Sequence, residues 1–274
     1  MSLSEQLRPS IPLTDVDARS TPGFDGDMAE AKAALKQIRS ELAELQERLY
    51  ANGLTGDHRS VLLVLQGMDT SGKGGVIEKV AGAVNPQGVA ITTFKKPTED
   101  ELAHDFLWRI NKALPAAGKI GVFDRSHYED VLIVRVHNLQ PEGEIERRYE
   151  AINEFEQAYV EGGGTIVKCL LHVDKATQKE RLAARLEDPE KYYKYRPGDL
   201  DERAVWDAYT EAYQLVLDRC STDIAPWHVV PSGHKPYRNW AVATLLLEAL
   251  RDLKLEWPAP PFDIEAEKKR VAAL

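Results

Sequence analysis

A glycine-rich segment, Gly67-Met68-Asp69-Thr70-Ser71-Gly72-Lys73, carries the clearest chemistry in the sequence. Its spacing fits G-x-x-x-x-G-K, directly after the apolar run VLLVLQ and before a predicted helix, which is the context that a phosphate-binding loop requires. Glycines there let backbone N–H groups surround a phosphate, the helix N-terminus adds positive potential, and the lysine places a cation on the phosphoryl oxygens. We predict a phosphate site whose binding residues are Gly67, Met68, Thr70, Ser71, Gly72, Gly74 and Gly75, with Lys73 as a catalytic cation.

Two residues of this loop depart from the usual pattern. Gly74 stands where Ser or Thr normally supplies a hydroxyl to Mg²⁺, and Asp69 places a carboxylate inside a loop built for anions. Alone, that carboxylate would repel a phosphate, whereas a carboxylate bound to Mg²⁺ would attract one. The sequence therefore predicts that Asp69 replaces the missing hydroxyl as a metal ligand.

A second carboxylate ends a later strand. Asp124 follows the apolar run IGVF, and ligands of open parallel sheets bind at the carboxyl ends of the strands. A lone Asp after a strand is often only a turn residue, but the phosphate loop favours a metal site formed by Asp69 and Asp124. Arg125 follows directly and is placed to reach a transferring phosphoryl group. The guanine-recognition pattern N-K-x-D and the dinucleotide pattern G-x-G-x-x-G are both absent.

Two clusters of cations are candidates for binding a polyanionic chain. Lys191–Arg196 contains three positive charges, three tyrosines and no acid, and Lys95 and Lys96 precede Pro97. The simpler alternative is that both are solvated surface segments. We predict contacts to the polyanion from Lys95, Lys96, Lys191, Lys194 and Arg196.

The elements that must position these residues alternate between strands and helices. Strands are predicted at about 61–66, 89–94, 120–123, 165–171 and 227–230, with helices between them at about 73–84, 98–114, 145–161, 175–186 and 200–220. Helices are also predicted at about 27–50 and 237–253, and S-H-Y-E at 126–129 reads as a capping box. Repeated strand–helix order predicts an α/β fold with a parallel five-stranded sheet covered on both faces.

Composition limits the remaining classes. Residues 1–26 are rich in Pro, Ser, Thr and Asp and are predicted to be a mobile N-terminal arm; 27–257 form one domain, and 258–274 a peripheral tail. The net charge of −9 is unlike that of a generic nucleic-acid binder, and no apolar run is long enough to span a membrane. We therefore expect no nucleic-acid and no membrane partner. Two cysteines without metal spacing and no apolar leader favour the cytoplasm.

Three long blocks resemble the polyphosphate kinase 2 family: QGMDTSGKGG, NPQGV…FKKPTEDELAHDFLWR and FDRSHYEDVLIVRVHNL. The similarity continues through RLAARLEDPEKYYKY, DLDERAVWDAY and APWHVVPSGHKPYRNWAV, and covers roughly residues 27 to 253. The resemblance implies a three-layer α/β/α P-loop kinase fold with a helical lid at about 185–205. It also implies phosphoryl transfer between inorganic polyphosphate and nucleotides that depends on Mg²⁺, with Mn²⁺ as a substitute.

The resemblance assigns roles to individual residues. The family's functional residues match at Asp69, Lys73, Asp124, Arg125 and, at the base of the lid, Arg185. The variant R-S-H-Y-E-D, with Glu129, is similar to class III members, which accept both AMP and ADP, whereas class I members carry R-S-W-Y-N. The lid departs from the family's K-x-W-K, because it contains Lys191-Tyr192-Tyr193-Lys194.

The expected function is a reversible, polyphosphate-dependent nucleotide kinase that converts ADP to ATP and AMP to ADP. Guanine nucleotides are further candidate substrates, and a homo-oligomer, dimer or tetramer, is expected. Two alternatives stay open: an ATP-dependent nucleoside monophosphate kinase, which shares the loop and the lid, and a non-catalytic nucleotide-binding switch.

Overall fold

The computed structural model describes residues 1–274, and its centre is a parallel sheet. The strands are β1 (Ser60–Gln66), β2 (Val89–Thr93), β3 (Ile120–Asp124), β4 (Gly164–His172) and β5 (Trp227–Pro231). Their order in space is β2-β3-β1-β4-β5, and every pair is parallel. The predicted parallel five-stranded sheet is therefore confirmed.

Helices connect the strands and close both faces of the sheet. They are α1 (Leu3–Gln6), α2 (Met28–Leu54), α3 (Lys73–Lys79), α4 (Glu99–Leu102), α5 (Trp108–Ala113), α6 (Ile133–Val136), α7 (Glu142–Glu161), α8 (Lys175–Glu187), α9 (Gly198–Ala204), α10 (Trp206–Cys220), α11 (Lys235–Asp252) and α12 (Ile264–Ala272). None of them is both long and apolar enough to cross a membrane.

Two hydrophobic cores lie on opposite faces of β1. Val61, Leu63 and Leu65 pack with α2, α3 and α11, whereas Leu62 and Val64 pack with α7 and α10. All seven residues of β1 are buried, which is typical of a central parallel strand covered on both faces. The predicted three-layer α/β/α arrangement is confirmed.

The register of the strands brings the predicted functional residues to one edge. Leu65 of β1 lies beside Asp124 of β3 on one side and Cys169 of β4 on the other. The chain then leaves β1 into the 67–72 loop at the edge where β3 ends. The phosphate loop and Asp124 therefore share the carboxyl edge of the sheet.

The N-terminal segment differs from the mobile arm predicted from its composition. Residues 1–26 lie along the domain, where Leu3, Leu7, Leu13 and Ala18 are buried. The carbonyl of Leu7 accepts a hydrogen bond from the backbone N–H of Val229, so the segment also covers β5, an outer strand of the sheet. Its apolar residues are widely spaced in a polar composition, yet Leu3 and Leu7 join the core on one face of the sheet and Leu13 joins the core on the other.

Candidate active site

The loop between β1 and α3 adopts a conformation that two of its glycines make possible. Gly67 has φ +147° and Gly72, at the start of α3, has φ +106°. A Cβ on Gly67 would lie 2.6 Å from the carbonyl oxygen of Leu171, and a Cβ on Gly72 would lie 1.7 Å from Nη1 of Arg238. Both backbone angle and space therefore require glycine at these positions.

Inside the loop, two hydroxyls have no partner. Thr70 Oγ1 and Ser71 Oγ are buried and form no hydrogen bond, and Thr70 has a positive φ of +67°. Buried polar groups are almost always paired in folded proteins, so unpaired hydroxyls in a predicted phosphate loop indicate a ligand that supplies their partners. This supports the predicted binding role of the loop.

Lys73 lies at the first position of α3 and folds back over the loop. Its Nζ donates to the carbonyl oxygen of Gly67 at 2.6 Å. Burial and then the nearby Arg125 lower the pKa of Lys73. Three carboxylates oppose that shift: Asp69, Asp124 and Glu129. The structure therefore brings four of the other five predicted catalytic residues, all but Arg185, around the Lys73 ammonium group.

Arg125 sits in the turn directly after β3 with a positive φ of +64°, and its N–H donates to the carbonyl of Leu65 at 3.0 Å. Its Nη2 lies 3.2 Å from Asp69 Oδ1, and its Nη1 lies 4.0 Å from Glu129 Oε2. Left-handed backbone at a non-glycine residue is costly and concentrates at functional sites. The Arg125 guanidinium therefore lies between the carboxylates of Asp69 and Glu129.

Glu129 is held in a nearly closed environment. Burial raises its pKa, while Arg125, Lys73 and Gln66 counteract that shift. With its amide oriented to satisfy both neighbours, Gln66 donates to Glu129 Oε1 at 3.1 Å. The predicted capping box at 126–129 is wrong: Ser126 Oγ accepts from the N–H of Tyr128, and residues 127–130 form a 3₁₀ turn. The Glu129 carboxylate thus serves the site and not a helix end.

A buried ion pair supports this turn from below. Lys168 Nζ donates to Glu156 Oε2 at 2.5 Å and to the Tyr128 hydroxyl at 2.8 Å. Glu156 Oε1 also accepts from Tyr128 at 2.7 Å and lies 3.2 Å from Nε2 of His127. These contacts join β4 and α7 to the turn that carries Arg125 and Glu129, and they show His127 in a structural role.

Asp69 and Asp124 fit the chemistry of a magnesium site. Both carboxylates favour the charged form of Lys73, so both lie near that ammonium group at the carboxyl edge of the sheet. The chain holds no group of three or more His, Cys, Asp or Glu side chains with metal-ligand geometry. Mg²⁺ is commonly bound by one or two carboxylates together with substrate phosphates. Asp69 and Asp124 would supply the two carboxylates of such a site.

Arg185 is held by the lid and does not contact the phosphate loop. Its Nη1 donates to the carbonyl of Lys194 at 2.8 Å and to Asp199 Oδ2 at 3.1 Å. Burial, and then the negative charge of Asp69, raises the pKa of Asp199, so this end of the lid lies near the loop. Arg185 is therefore linked to the other predicted catalytic residues only indirectly, through its ion pair with Asp199, which lies near Asp69.

The lid cations are exposed. Lys191 Nζ pairs with Asp188 Oδ2 at 2.5 Å, and Lys194 lies 5.3 Å above the ring of Tyr193. Arg196 forms no side-chain hydrogen bond; its carbonyl accepts from the N–H of Asp199. Lys191 and Lys194 both lower the pKa of Lys235 at the start of α11, after larger effects from burial, Arg181 and Arg238. The lid therefore presents its lysines toward the phosphate-loop side of the domain.

Lys95 and Lys96 follow β2 on the other side of β3. Both side chains are exposed and form no hydrogen bond or ion pair. The Lys95 carbonyl accepts from Arg109 Nη1 at 2.9 Å, which fixes the backbone there. A role in binding a polyanion stays a prediction for these two lysines.

Several residues of the site were missed by the sequence analysis. Arg181 and Arg238 donate to loop carbonyls, Gln178 donates to the carbonyl of Asp69, and Tyr213 is buried near Glu129 and Arg125. Arg181 precedes Arg185 by one helical turn, and that spacing would have placed it on the same face of α8. No sequence pattern marks Tyr213.

Comparisons with known proteins show the family of the chain. A family model described as "Polyphosphate kinase 2" matches residues 25–257. The chain is 46% identical over 244 residues to the AMP/ADP-polyphosphate phosphotransferase of Meiothermus ruber, which covers 89% of this chain and 90% of that protein. It is 42% identical over 229 residues to the ADP-polyphosphate phosphotransferase of Rhodopseudomonas palustris, covering 79% of this chain and 78% of that protein. A crystal structure of polyphosphate kinase 2 from Arthrobacter aurescens TC1 superposes with a TM-score of 0.98 at 53% identity, covering 100% of this chain and 98% of that one.

Proposed function

Because the chain belongs to the polyphosphate kinase 2 family, we propose that it transfers phosphoryl groups reversibly between inorganic polyphosphate and nucleotides, converting ADP to ATP and AMP to ADP. The observation that carries this proposal is the convergence of Lys73 and Arg125 with Asp69, Asp124 and Glu129 at a phosphate loop. Relatives named for AMP and ADP as acceptors support both reactions.

The side chains account for the chemistry by position and charge. The acceptor is a phosphate oxygen that is already ionised at neutral pH, so no general base is required. Phosphoryl transfer depends mainly on alignment and on stabilising charge on the transferring group. Lys73 would exchange the Gly67 carbonyl for a phosphate oxygen, and Arg125 lies between the two carboxylates that border the same space.

Asp69 and Asp124 would hold Mg²⁺, or Mn²⁺ in its place. Held by these two carboxylates, a divalent ion would supply Lewis-acid stabilisation of the charge that develops on the transferring phosphoryl group. Asp69 is the residue that compensates for Gly74, since Gly74 offers no hydroxyl. The hydrogen bond between Arg125 Nη2 and Asp69 Oδ1 keeps this carboxylate oriented toward β3.

One coupled assay tests the function. ATP formation is measured from ADP and polyphosphate, with and without Mg²⁺, and beside it ADP formation from AMP and ATP. We expect ATP formation with polyphosphate that disappears without the metal. Activity only in the AMP and ATP reaction would support an ATP-dependent monophosphate kinase, and nucleotide binding without turnover would support a switch.

The environment of Glu129 leads to a prediction on acceptor choice. We expect Glu129→Asn to lose AMP phosphorylation more than ADP phosphorylation, because the buried carboxylate can hold a metal or a water in the space that the shorter acceptor leaves. The ratio of kcat/KM for AMP and ADP is the measurement. Glu129→Gln keeps the side-chain length and separates loss of charge from loss of size. An unchanged ratio, with a lower melting temperature, would show that Glu129 only stabilises the turn.

The lid cations lead to a prediction on polyphosphate binding. Lys191→Ala and Lys194→Ala should mainly raise the KM for polyphosphate and weaken its dependence on salt, because exposed charges attract a polyanion over distances that salt screens. Lys112→Ala is the control: this lysine also lies over an aromatic ring, 4.0 Å above Trp108, but it follows Asn111, which lines a cavity with Ser60 and Gly164 at the amino ends of β1 and β4. If the lid variants keep the wild-type KM at every ionic strength, the segment is a solvated loop.

The remaining proposals concern partners and location. A homo-oligomer, dimer or tetramer, is supported by apolar side chains left exposed near the C-terminus: Trp257, Phe262, Ile264 and Val271. The mass in gel filtration measures this directly. A cytoplasmic location is supported by two cysteines that are buried and unpaired. Guanine nucleotides stay candidate acceptors, and competition assays with ADP would rank them.

A further inference from the structure

Two arginines from different helices contact the phosphate loop from behind. Arg181 of α8 donates through Nη1 to the carbonyl oxygens of Thr70 at 2.8 Å and Ser71 at 3.2 Å. Arg238 of α11 donates through Nη1 to the same Ser71 oxygen at 3.2 Å. Arg181 Nη2 also binds the carbonyls of Ser232 and Gly233, which tie the loop to the turn after β5.

Neither guanidinium has a carboxylate partner. Arg238 is 3% exposed, and its other hydrogen bonds go to the amide oxygen of Asn239, at 3.1 Å and 2.8 Å. Burial, followed by the charge of Arg181, lowers the pKa of Arg238 to about 9, and no acid opposes that shift. Arg238 stays charged near neutral pH. By contrast Arg148, which is also buried at 9% exposed, pairs with Asp130 at 3.3 Å and Glu144 at 3.1 Å.

A buried charge without a counter-ion is costly, so fully enclosed cations are normally paired. The loop in front of this pair is an anion site with two unpartnered hydroxyls. Only the loop backbone would separate an anion bound in front of the loop from the two guanidiniums behind it. A phosphate bound in the loop would supply the counter-ion that the buried Arg238 lacks.

The hydrogen bonds also set the direction of the loop's amide groups. In a trans peptide the C=O and the next N–H point in opposite directions. Because Ser71 O is held by both arginines behind the loop, the N–H of Gly72 faces the front, and it donates to no backbone carbonyl. A Cβ on Gly75 would lie 2.8 Å from Arg238 Nη2, so the glycines beside Lys73 leave room for this arginine.

We propose that Arg181 and Arg238 are positioning residues that hold the Thr70 and Ser71 carbonyls behind the loop, turn the Gly72 N–H toward the phosphate, and strengthen binding of polyphosphate through their unpaired charge. The proposal rests on the proposed function. It explains why a loop without the usual hydroxyl after its lysine still binds an anion next to three carboxylates. Arg238 never touches the substrate, so its effect is on binding and not on the chemical step.

The test replaces Arg238 with methionine, which removes the charge and keeps much of the length. We expect the Kd for tripolyphosphate, measured by calorimetry, to rise about tenfold, as expected when one charge near a bound anion is removed at protein-like dielectric. The KM for polyphosphate should rise similarly while kcat changes little, since the charge acts equally on bound substrate and transition state. The melting temperature without ligand should stay equal or rise, because Ser71 O keeps its bond from Arg181 and an unpaired buried charge is lost.

Two further variants complete the experiment. Arg148→Met removes a paired buried arginine and should lower the melting temperature without changing the Kd for tripolyphosphate. Arg238→Lys keeps the charge and should retain most of the affinity, which also covers the case in which the methionine variant does not fold. A Kd within twofold of wild type in Arg238→Met overturns the proposal, as does a fall in melting temperature with unchanged KM. Absence of ATP formation by the wild-type protein, with tripolyphosphate binding intact, would contradict the proposed function and not this one.

Discussion

Asp69→Asn and Asp124→Asn are each expected to lower kcat for ATP formation by about 10²–10³, the usual cost of one preorganised electrostatic contact in an active site. We expect Lys73→Ala to lower kcat by a similar factor. Asp69 Oδ1 lies 3.2 Å from Arg125 Nη2, and both aspartates lie near the Lys73 ammonium group. Replacing either aspartate with asparagine keeps the shape of the side chain and removes a charged metal ligand. Steady-state rates across a Mg²⁺ titration measure the effect, and folding is checked by thermal unfolding.

A matched control distinguishes the loss of a ligand from the loss of an ion pair. Asp57 also pairs with an arginine, Arg59, but it precedes β1 at the amino edge of the sheet. We expect Asp57→Asn to change the melting temperature and not kcat. Near-wild-type turnover of Asp69→Asn at ordinary Mg²⁺ would show that Asp69 does not replace the missing hydroxyl.

Arg185→Ala is expected to lower kcat by about 10²–10³, if its guanidinium meets the transferring group in the transition state. In the structure that guanidinium is bound to Asp199 and to the carbonyl of Lys194, so it must exchange partners as substrate binds. Arg185→Lys keeps a cation and should recover part of the rate. Stopped-flow and steady-state kcat values give the comparison.

Asp199→Asn provides the discriminating control. This change releases Arg185 from its ion pair and leaves the arginine in place. A catalytic arginine predicts that Asp199→Asn keeps far more activity than Arg185→Ala. Equal losses in the two variants would show that Arg185 acts only by fastening the lid to α8.

The sheet and the loop were predictable because their signals are local. Continuous apolar runs marked the buried strands, and the phosphate loop is contiguous between one strand and one helix. The helix predicted at 98–114 was instead divided into α4 and α5. Its capping box at Thr98 is present, but α4 ends at Leu102, and a turn in which Asp105 Oδ1 accepts from the N–H of Leu107 precedes α5.

The rest of the site depends on tertiary contacts that no local pattern encodes. Arg238 lies 166 residues after Gly72 in the sequence, yet its guanidinium occupies the space that a side chain on Gly72 would need. The sequence around Glu129 matches a helix-capping pattern, but its carboxylate binds Gln66 and lies near Arg125 instead of capping a helix. Neither of these partners is part of the capping pattern. Unpaired charge behind the loop is a property of the folded arrangement alone.

The N-terminal segment has a consequence for how the chain folds during synthesis. Its hydrogen bonds to the domain all run to residues after 171, and the bond from the Leu3 N–H to Glu248 spans 245 residues. At roughly 5–20 residues per second, ribosomes take about 12–50 s to make that interval. Leu3, Leu7 and Leu13 are therefore translated long before their partners, and β5 has its outer edge covered only when the earliest residues return to the last third of the chain.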